Sequence, residues 1–262
     1  ININKIKIRL LNYKYIVPLI GIIYLWFFYL KKKKIIYLNY LPMWNSIIFL
    51  FLPPNTILGP ITGGANFNRS NKLNYLLRKY IFPIFYKISE KIINFRFQKI
   101  IFSTNLLKKY LNNTTIQKSN FNFVLKNIKL KKINFLKKKN DFLIYYRDHR
   151  NKKSLFSKKI ISKLIKMNFK VIIVGDKLRI PGVINKGYIS NKSIQNLQLK
   201  TKFTVSSGEN LYTLFVIECI ENGVKVLINH NKKKEIKYFK NKFRVINFNN
   251  NYSIKHLKKL KN

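Results

Sequence analysis

Four short apolar runs recur along the second half of the chain, and they leave few folds open. FLIYYR (142–147), KVIIVGD (170–176), KFTVSS (202–207) and KVLINH (225–230) are continuous rather than alternating. Such runs are expected of strands covered on both faces, as in a parallel sheet. Helical patterns fall between them. SLFSKKIISKLIKMN (154–168) places Leu155, Ile160, Ile161, Leu164 and Ile165 at helical spacing, with lysines on the other side. NKSIQNLQLKT (191–201) and NLYTLFVIECIEN (210–222) read as further helices, the second stopped by Gly223. A short strand in VINKGYIS (183–190), then KKKEIKYFKN (232–241), FRVINF (243–248) and a lysine-rich terminal helix complete the series. Strands alternating with helices imply βαβ units, and hence an α/β, doubly wound sheet.

The first half repeats the alternation. A helix over 15–30 leads to a strand at 34–41, a helical stretch near 44–52 and a strand at 55–60. After the loop TGGANFNRS (62–70) come a long helical region over 71–96, a strand at 98–104 and a helix at 105–112. Residues 113–140 are polar, lysine-rich and without periodicity, so they are expected to hold a linker, near 125–140. Two α/β domains follow, over 1–130 and 138–262. The chain opens on Ile1 rather than Met, and its first domain is expected to lack its beginning.

With 53 Lys and Arg against 8 Asp and Glu in 262 residues, the formal charge is +45. A nucleic-acid or membrane partner is one explanation. The other is the Lys, Asn, Ile, Phe and Tyr bias of an AT-rich genome, with much of the lysine on solvated faces. A hydrophobic share of 47% supplies ample core and argues against global disorder. The lone Cys219 excludes an intrachain disulfide and a Cys-based zinc site, and reads as a buried residue of a reducing compartment. His149, His230 and His256 lie far apart and form no metal-ligand spacing. The 16 residues YIVPLIGIIYLWFFYL (15–30) fall short of the roughly 20 that a spanning helix needs, and Lys31–Lys34 close them. A buried or membrane-apposed helix is the expectation.

The stretch SSGENLYTLFVIECIENG (206–223) holds three of the acidic residues: Glu209, Glu218 and Glu221. A strand ends there and a helix is expected from about Asn210. Ligands of open parallel sheets bind at the carboxyl ends of strands, where helix N-termini favour anions such as phosphate. Gly208 permits close backbone approach. Glu218 follows Leu211 and Leu214 at helical spacing, on the apolar stripe, where a carboxylate needs a partner. That partner is either a lysine, in a salt bridge, or the hydroxyls of a ribose or sugar. Glu221 falls off the stripe, and Glu209 suits a first-turn charge.

This stretch, running on into VKVLI, resembles the sugar-nucleotide signature of family 4 glycosyltransferases and related GT-B enzymes. There a Ser-rich strand end leads to Glu, a second Glu on the helix, then Gly and a buried strand. Further pieces fall in family order. YYRDHRNKK (145–153) resembles the segment whose Arg and Lys hold the donor diphosphate, and VIIVGD (171–176) the strand ending in Val-Gly-Asp. NKGYIS (185–190) resembles the short strand and Gly beside the base. TILGPITGGANF (56–67) resembles the Gly-Pro-Ile loop bordering the interdomain cleft, and IIFSTNLLKKYL (100–111) the unit closing the first domain. Two departures stand out. Eight residues separate Glu209 from Glu218 where the family has seven, leaving Asn210 in the strict position, and the acceptor-side Gly-rich loop is absent.

The resemblance implies two Rossmann-like doubly wound domains of GT-B type, the first incomplete. It implies Arg147 with Lys152 or Lys153 on the diphosphate leaving group, and Glu209 on the transferred sugar. Glu218 would bind the donor ribose, backbone amides over 208–212 the phosphate, and Ser207, Gly208, Asn210, Leu211 and Gly187 would line the donor site. Gly59, Thr62, Gly63 and Gly64 would form the cleft loop. No metal is implied, since D-x-D is absent, and no cofactor beyond the nucleotide-sugar substrate. The implied partners are a nucleotide-diphosphate sugar, a lipid-linked or surface-polysaccharide acceptor and a peripheral membrane contact, with no specific nucleic acid. Cell-envelope work such as lipopolysaccharide biosynthesis, in the cytoplasm or on the inner face of the cytoplasmic membrane, fits these. Two other readings stand beside it: a basic, non-enzymatic RNA-binding protein of organellar ribosomal type, and an inactive glycosyltransferase paralogue.

Overall fold

The computed structural model describes residues 16–64, 72–122, 124, 128–148, 155–206 and 210–250. They form two compact units: 1–63, 81–102 and 108–120 make the first, and 64–80, 103–107 and 121–262 the second. The expected parallel α/β architecture is present in both.

In the first unit, helix α1 (Ile16–Leu30) precedes strand β1 (Ile36–Pro42), helix α2 (Ser46–Phe51) and strand β2 (Ile57–Thr62). The region expected as one helix over 71–96 is three pieces: α3 (Lys72–Leu76) and a π-helical turn over Leu77–Ile81, which belong to the second unit as far as Tyr80, and α4 (Phe82–Arg96) in the first. Pro83 sits at the start of α4 and offers no N–H to the turn before it, so the helical ladder is broken at that point. Strand β3 (Ile100–Phe102) follows, then a 3-10 turn at Lys108–Tyr110 in place of the helix expected over 105–112. Helix α5 (Asn113–Gln117) and strand β4 (Ser119–Asn120) lie inside the stretch expected to begin a linker. Asn112 explains the missed start: its side chain accepts the Thr115 N–H at 2.7 Å and caps α5.

The sheet runs β1-β2-β3-β4, all parallel. Leu41, Phe49, Leu58, Ile61, Ile93 and Phe102 are fully buried in its core. Glu90 on α4 is buried too, and accepts the Thr115 hydroxyl at 2.7 Å, which fixes α5 to α4.

In the second unit, β5 (Asn140–Tyr146), α6 (Leu155–Lys166), β6 (Val171–Gly175) and β7 (Val183–Gly187) are followed by α7 (Asn191–Leu199) and β8 (Thr201–Val205). Then come α8 (Leu214–Glu221), β9 (Lys225–Asn229), 3-10 turns at His230–Glu235 and Lys240–Lys242, and β10 (Phe243–Ile246). The terminal lysine-rich helix expected beyond 250 lies outside the described residues. All six strands are parallel, in the order β10-β9-β8-β5-β6-β7.

Continuous apolar strands are explained by two helical layers. Phe142, Ile144 and Tyr146 of β5 pack with Ile160, Ile161 and Leu164 of α6, while Leu143 packs on the other face with Leu197 and Phe215. Residues 128–139 contain no helix or strand, as a linker would, yet they are pinned. Phe135 meets Phe203 edge-on at 5.4 Å. Lys138, 5% exposed, donates to the carbonyls of Gln198 at 3.1 Å and Asn222 at 2.9 Å. One buried cation thus caps the carboxyl ends of α7 and α8, where the helix dipoles favour positive charge. Burial lowers the Lys138 amine to about 8.

Candidate functional site

Strand order reverses between β5 and β8, the two strands at the centre of the six-stranded sheet. In a doubly wound sheet the connections leave neighbouring strands toward opposite faces at such a point, which opens a crevice at the carboxyl ends. Tyr146 ends β5, and Arg147 and Asp148 follow it, both exposed. Val205 ends β8, and buried Ser206 follows, its N–H donating to the Leu227 carbonyl at 3.0 Å. The topology therefore sets Arg147 and the segment leading into α8 on one edge.

Asp176 organises that edge. It follows Gly175 at the end of β6, and its N–H donates to the Tyr146 carbonyl at 2.9 Å. Its carboxylate accepts the Asp148 N–H at 2.6 Å and the Tyr188 hydroxyl. The ends of β5, β6 and β7 are tied through one side chain. The hydrogen bond to Asp176 raises the Tyr188 phenol above its ordinary range, with nearby Arg147 opposing. Gly175 makes the approach possible. Its φ is +100°, and a Cβ there would stand 2.3 Å from the Tyr146 carbonyl oxygen.

On the outer side of β5 the same edge carries a groove of about 860 Å³, lined by Tyr146, Lys158, Lys177, Arg179 and Asn185 among others. Asn185 shapes its rim, accepting the Leu178 N–H at 2.9 Å and donating to the Leu178 carbonyl at 3.1 Å. Lys158, Lys177 and Arg179 outnumber the one carboxylate of this lining, Asp148, and Arg147 precedes Asp148 in the chain, so the balance of charge here favours an anion.

Helix α8 begins later than expected, at Leu214 rather than near Asn210. Asn210 forms a local turn instead, its side-chain oxygen accepting the Tyr212 N–H at 3.1 Å. Thr213 then caps the helix by accepting the Val216 N–H at 3.3 Å. Leu211 is buried in the core, so only its backbone faces any ligand. The buried Tyr212 hydroxyl accepts the N–H groups of Lys237 and Tyr238 at 2.9 and 2.8 Å, fixing the 236–239 loop beside the α8 N-terminus.

Glu218 also differs from expectation. Leu214 is 63% exposed, so the face shared by Leu214 and Glu218 is not a core stripe, and Glu218 is half-buried. Among the described residues its carboxylate has neither a hydrogen bond nor an ion pair. The expected alternative, a salt bridge to lysine, is not formed within them.

Gly187 ends β7 with φ +67° and open space around its α-carbon, one residue before Tyr188. In the first unit, Gly59 lies within β2, where a Cβ would stand 2.5 Å from the Ile101 carbonyl oxygen. Close strand packing accounts for that glycine. Thr62 ends β2, and among the described residues its hydroxyl has no hydrogen-bond partner. Gly63 follows in the first unit, whereas Gly64 belongs to the second. Lys152, Lys153, Ser207, Gly208 and Glu209 lie outside the described residues. Among the described residues no cluster of three or more His, Cys, Asp or Glu side chains could hold a metal. Asp176 and Tyr188 were missed as site residues, though an acid directly after a buried strand and its glycine was a usable signal.

No family model and no curated protein matches the chain. Among solved structures it is similar to HepE of Anabaena in complex with UDP and glucose, with a TM-score of 0.50 and 11% identity. That match covers 81% of this chain and 63% of the HepE chain, so this chain spans less than two thirds of HepE. A second HepE structure, in complex with UDP-glucose, matches at a TM-score of 0.49 and 11% identity, over 82% of this chain and 65% of that one. The fold is α/β of GT-B type, with two Rossmann-like parallel-sheet units.

Proposed function

We propose that this chain is a GT-B glycosyltransferase that takes a sugar from a nucleotide-diphosphate donor, held at the β5/β8 edge of the second unit. The observation that carries this reading is the strand reversal, which sets Arg147 and the approach to α8 at one crevice. HepE, which shares the fold, was solved with UDP and with UDP-glucose.

In this reading Arg147, with Lys152 or Lys153, meets the diphosphate. Backbone amides over 208–212 add hydrogen bonds to it, and the sugar-to-phosphate bond breaks toward that cationic edge. Leaving-group departure needs positive charge aimed at the developing phosphate anion, and these side chains supply it without a metal. Glu218, without a partner among the described residues, accepts the ribose hydroxyls, and Glu209 contacts the transferred hexose. The acceptor is a lipid-linked or surface polysaccharide, met at the inner face of the cytoplasmic membrane.

UDP-glucose and GDP-mannose test the reading by thermal shift. One of them should raise the midpoint of the native chain, since ligand at a hundredfold its Kd stabilises by about 2.7 kcal/mol. Arg147→Ala should remove the shift. If neither donor moves the midpoint while RNA binds with a steep salt dependence, the RNA-binding reading takes its place.

A further inference from the structure

Neighbouring residues at the end of β5 divide between the two faces of the second unit's sheet. Tyr145 meets Phe215 of α8 at 5.8 Å between ring centres, on the face that carries α8. Tyr146 packs with Ile160 and Ile161 of α6 on the opposite face, as alternation along a strand requires. The groove of about 860 Å³ that Tyr146 lines therefore lies across the sheet from α8. One wall of it is the connection from β6 to β7, which is closely built. Leu178 is buried and held by Asn185 through both its backbone groups, and its carbonyl also accepts the Ile180 N–H at 3.0 Å. With Leu178 fixed inward, Lys177 and Arg179 on either side of it are exposed. Lys158, in the first turn of α6, adds a third cation, its ammonium 5.9 Å from the centre of the Tyr146 ring. Among the described residues the side chains of Lys158, Lys177 and Arg179 make no hydrogen bond or ion pair, and the Tyr146 hydroxyl has no partner either.

We infer that this groove is a second ligand site, for a small organic phosphate, separate from the nucleotide-sugar crevice on the other face. Three cations without partners face a single carboxylate, Asp148. A phosphate dianion offers them three strong acceptor oxygens, and the Tyr146 hydroxyl can donate to the same group. The rest of the lining decides what the phosphate is attached to. The Tyr146 ring, Leu178, Ile180 and Pro181 make an apolar floor that a bare ion would leave uncovered. An apolar or aromatic body beside the phosphate covers it. The volume falls within the roughly 300–1,000 Å³ of small-molecule sites. None of these contacts involves α8 or Arg147, so the inference does not depend on the proposed transfer reaction.

Phenyl phosphate is the probe, titrated into the full chain at pH 7.5 and fixed salt and followed by ligand-observed NMR. It should bind saturably, and about tenfold more tightly than inorganic phosphate, because its ring covers the apolar floor. Lys177→Ala with Arg179→Ala should weaken it by about tenfold with the circular dichroism unchanged, since both side chains are exposed. Lys166→Ala with Lys170→Ala removes the same charge at the amino-terminal end of β6, and should change the affinity by less than about twofold. Arg147→Ala should leave phenyl phosphate binding within about threefold of the native chain. Equal losses in the two cationic pairs would mean general attraction to a basic protein, and would overturn the inference. So would binding that does not saturate, or that disappears in Arg147→Ala. UDP-glucose binding is titrated separately on the same proteins, so failure of the groove and failure of the donor reading are told apart.

Discussion

The Asp176 carboxylate accepts the Asp148 N–H at 2.6 Å, and so holds in place the turn that presents Arg147. Removing that acceptor should matter more to ligand than to stability, because Asp148 is exposed and water can replace the bond. Asp176→Ala should weaken nucleotide-sugar binding by about tenfold, or about 1.4 kcal/mol, measured by calorimetric titration. Unfolding free energy should fall by about 1 kcal/mol or less. A large stability loss with unchanged affinity would assign Asp176 a purely structural role.

Gly175 should not tolerate a side chain. A Cβ 2.3 Å from the Tyr146 carbonyl oxygen, at positive φ, forces β5 and β6 apart at their carboxyl ends. Gly175→Ala should destabilise by about 2 kcal/mol or more in urea unfolding. A loss below about 0.5 kcal/mol would mean that the two strand ends are not held this closely.

Glu218 gives the opposite pattern. It is half-buried and, among the described residues, unpaired, so Glu218→Gln should change stability by no more than about 0.5 kcal/mol. Donor affinity should nevertheless fall by about tenfold, because an amide accepts hydroxyl hydrogen bonds less well than a carboxylate.

Lys138 makes stability depend on pH in a defined direction. Its amine titrates near 8 in the folded chain against 10.5 ordinarily, so between those values the unfolded chain binds more protons. Its contribution to stability therefore rises as pH rises from about 8 to 10.5, by about 3 kcal/mol at most. Lys138→Met should lose this dependence, and should also cost about 2 kcal/mol by stranding the Gln198 and Asn222 carbonyls. Urea unfolding of both proteins at pH 7.5 and pH 10 reads the two effects, the native chain gaining relative to the variant at the higher pH.

Much of the second unit was legible because its strands are covered on both faces. Runs such as Val171–Gly175, buried throughout, have no other easy home than a parallel sheet. Element ends were less legible, because single side chains decide them: Thr213 starts α8, Asn112 starts α5 and Pro83 interrupts the long helix. The 128–139 segment looked like a linker by composition, and only the fold reveals Lys138 buried between two helix ends. The helical spacing of Leu211, Leu214 and Glu218 suggests an apolar stripe, yet Leu214 faces solvent. The interest of Glu218 rests on the lack of a partner among the described residues. The role of Asp176 is not legible from sequence, because it depends on Asp148 and Tyr188, brought to it from the ends of β5 and β7.

Titration of UDP-glucose into the native chain and into Arg147→Ala, by calorimetry at fixed salt, tests the central claim most directly. The account predicts saturable binding to the native chain, weakened at least about a hundredfold, or about 2.7 kcal/mol, when the guanidinium is removed. Equal binding to both proteins, or no binding of UDP-glucose or GDP-mannose to either, would contradict it.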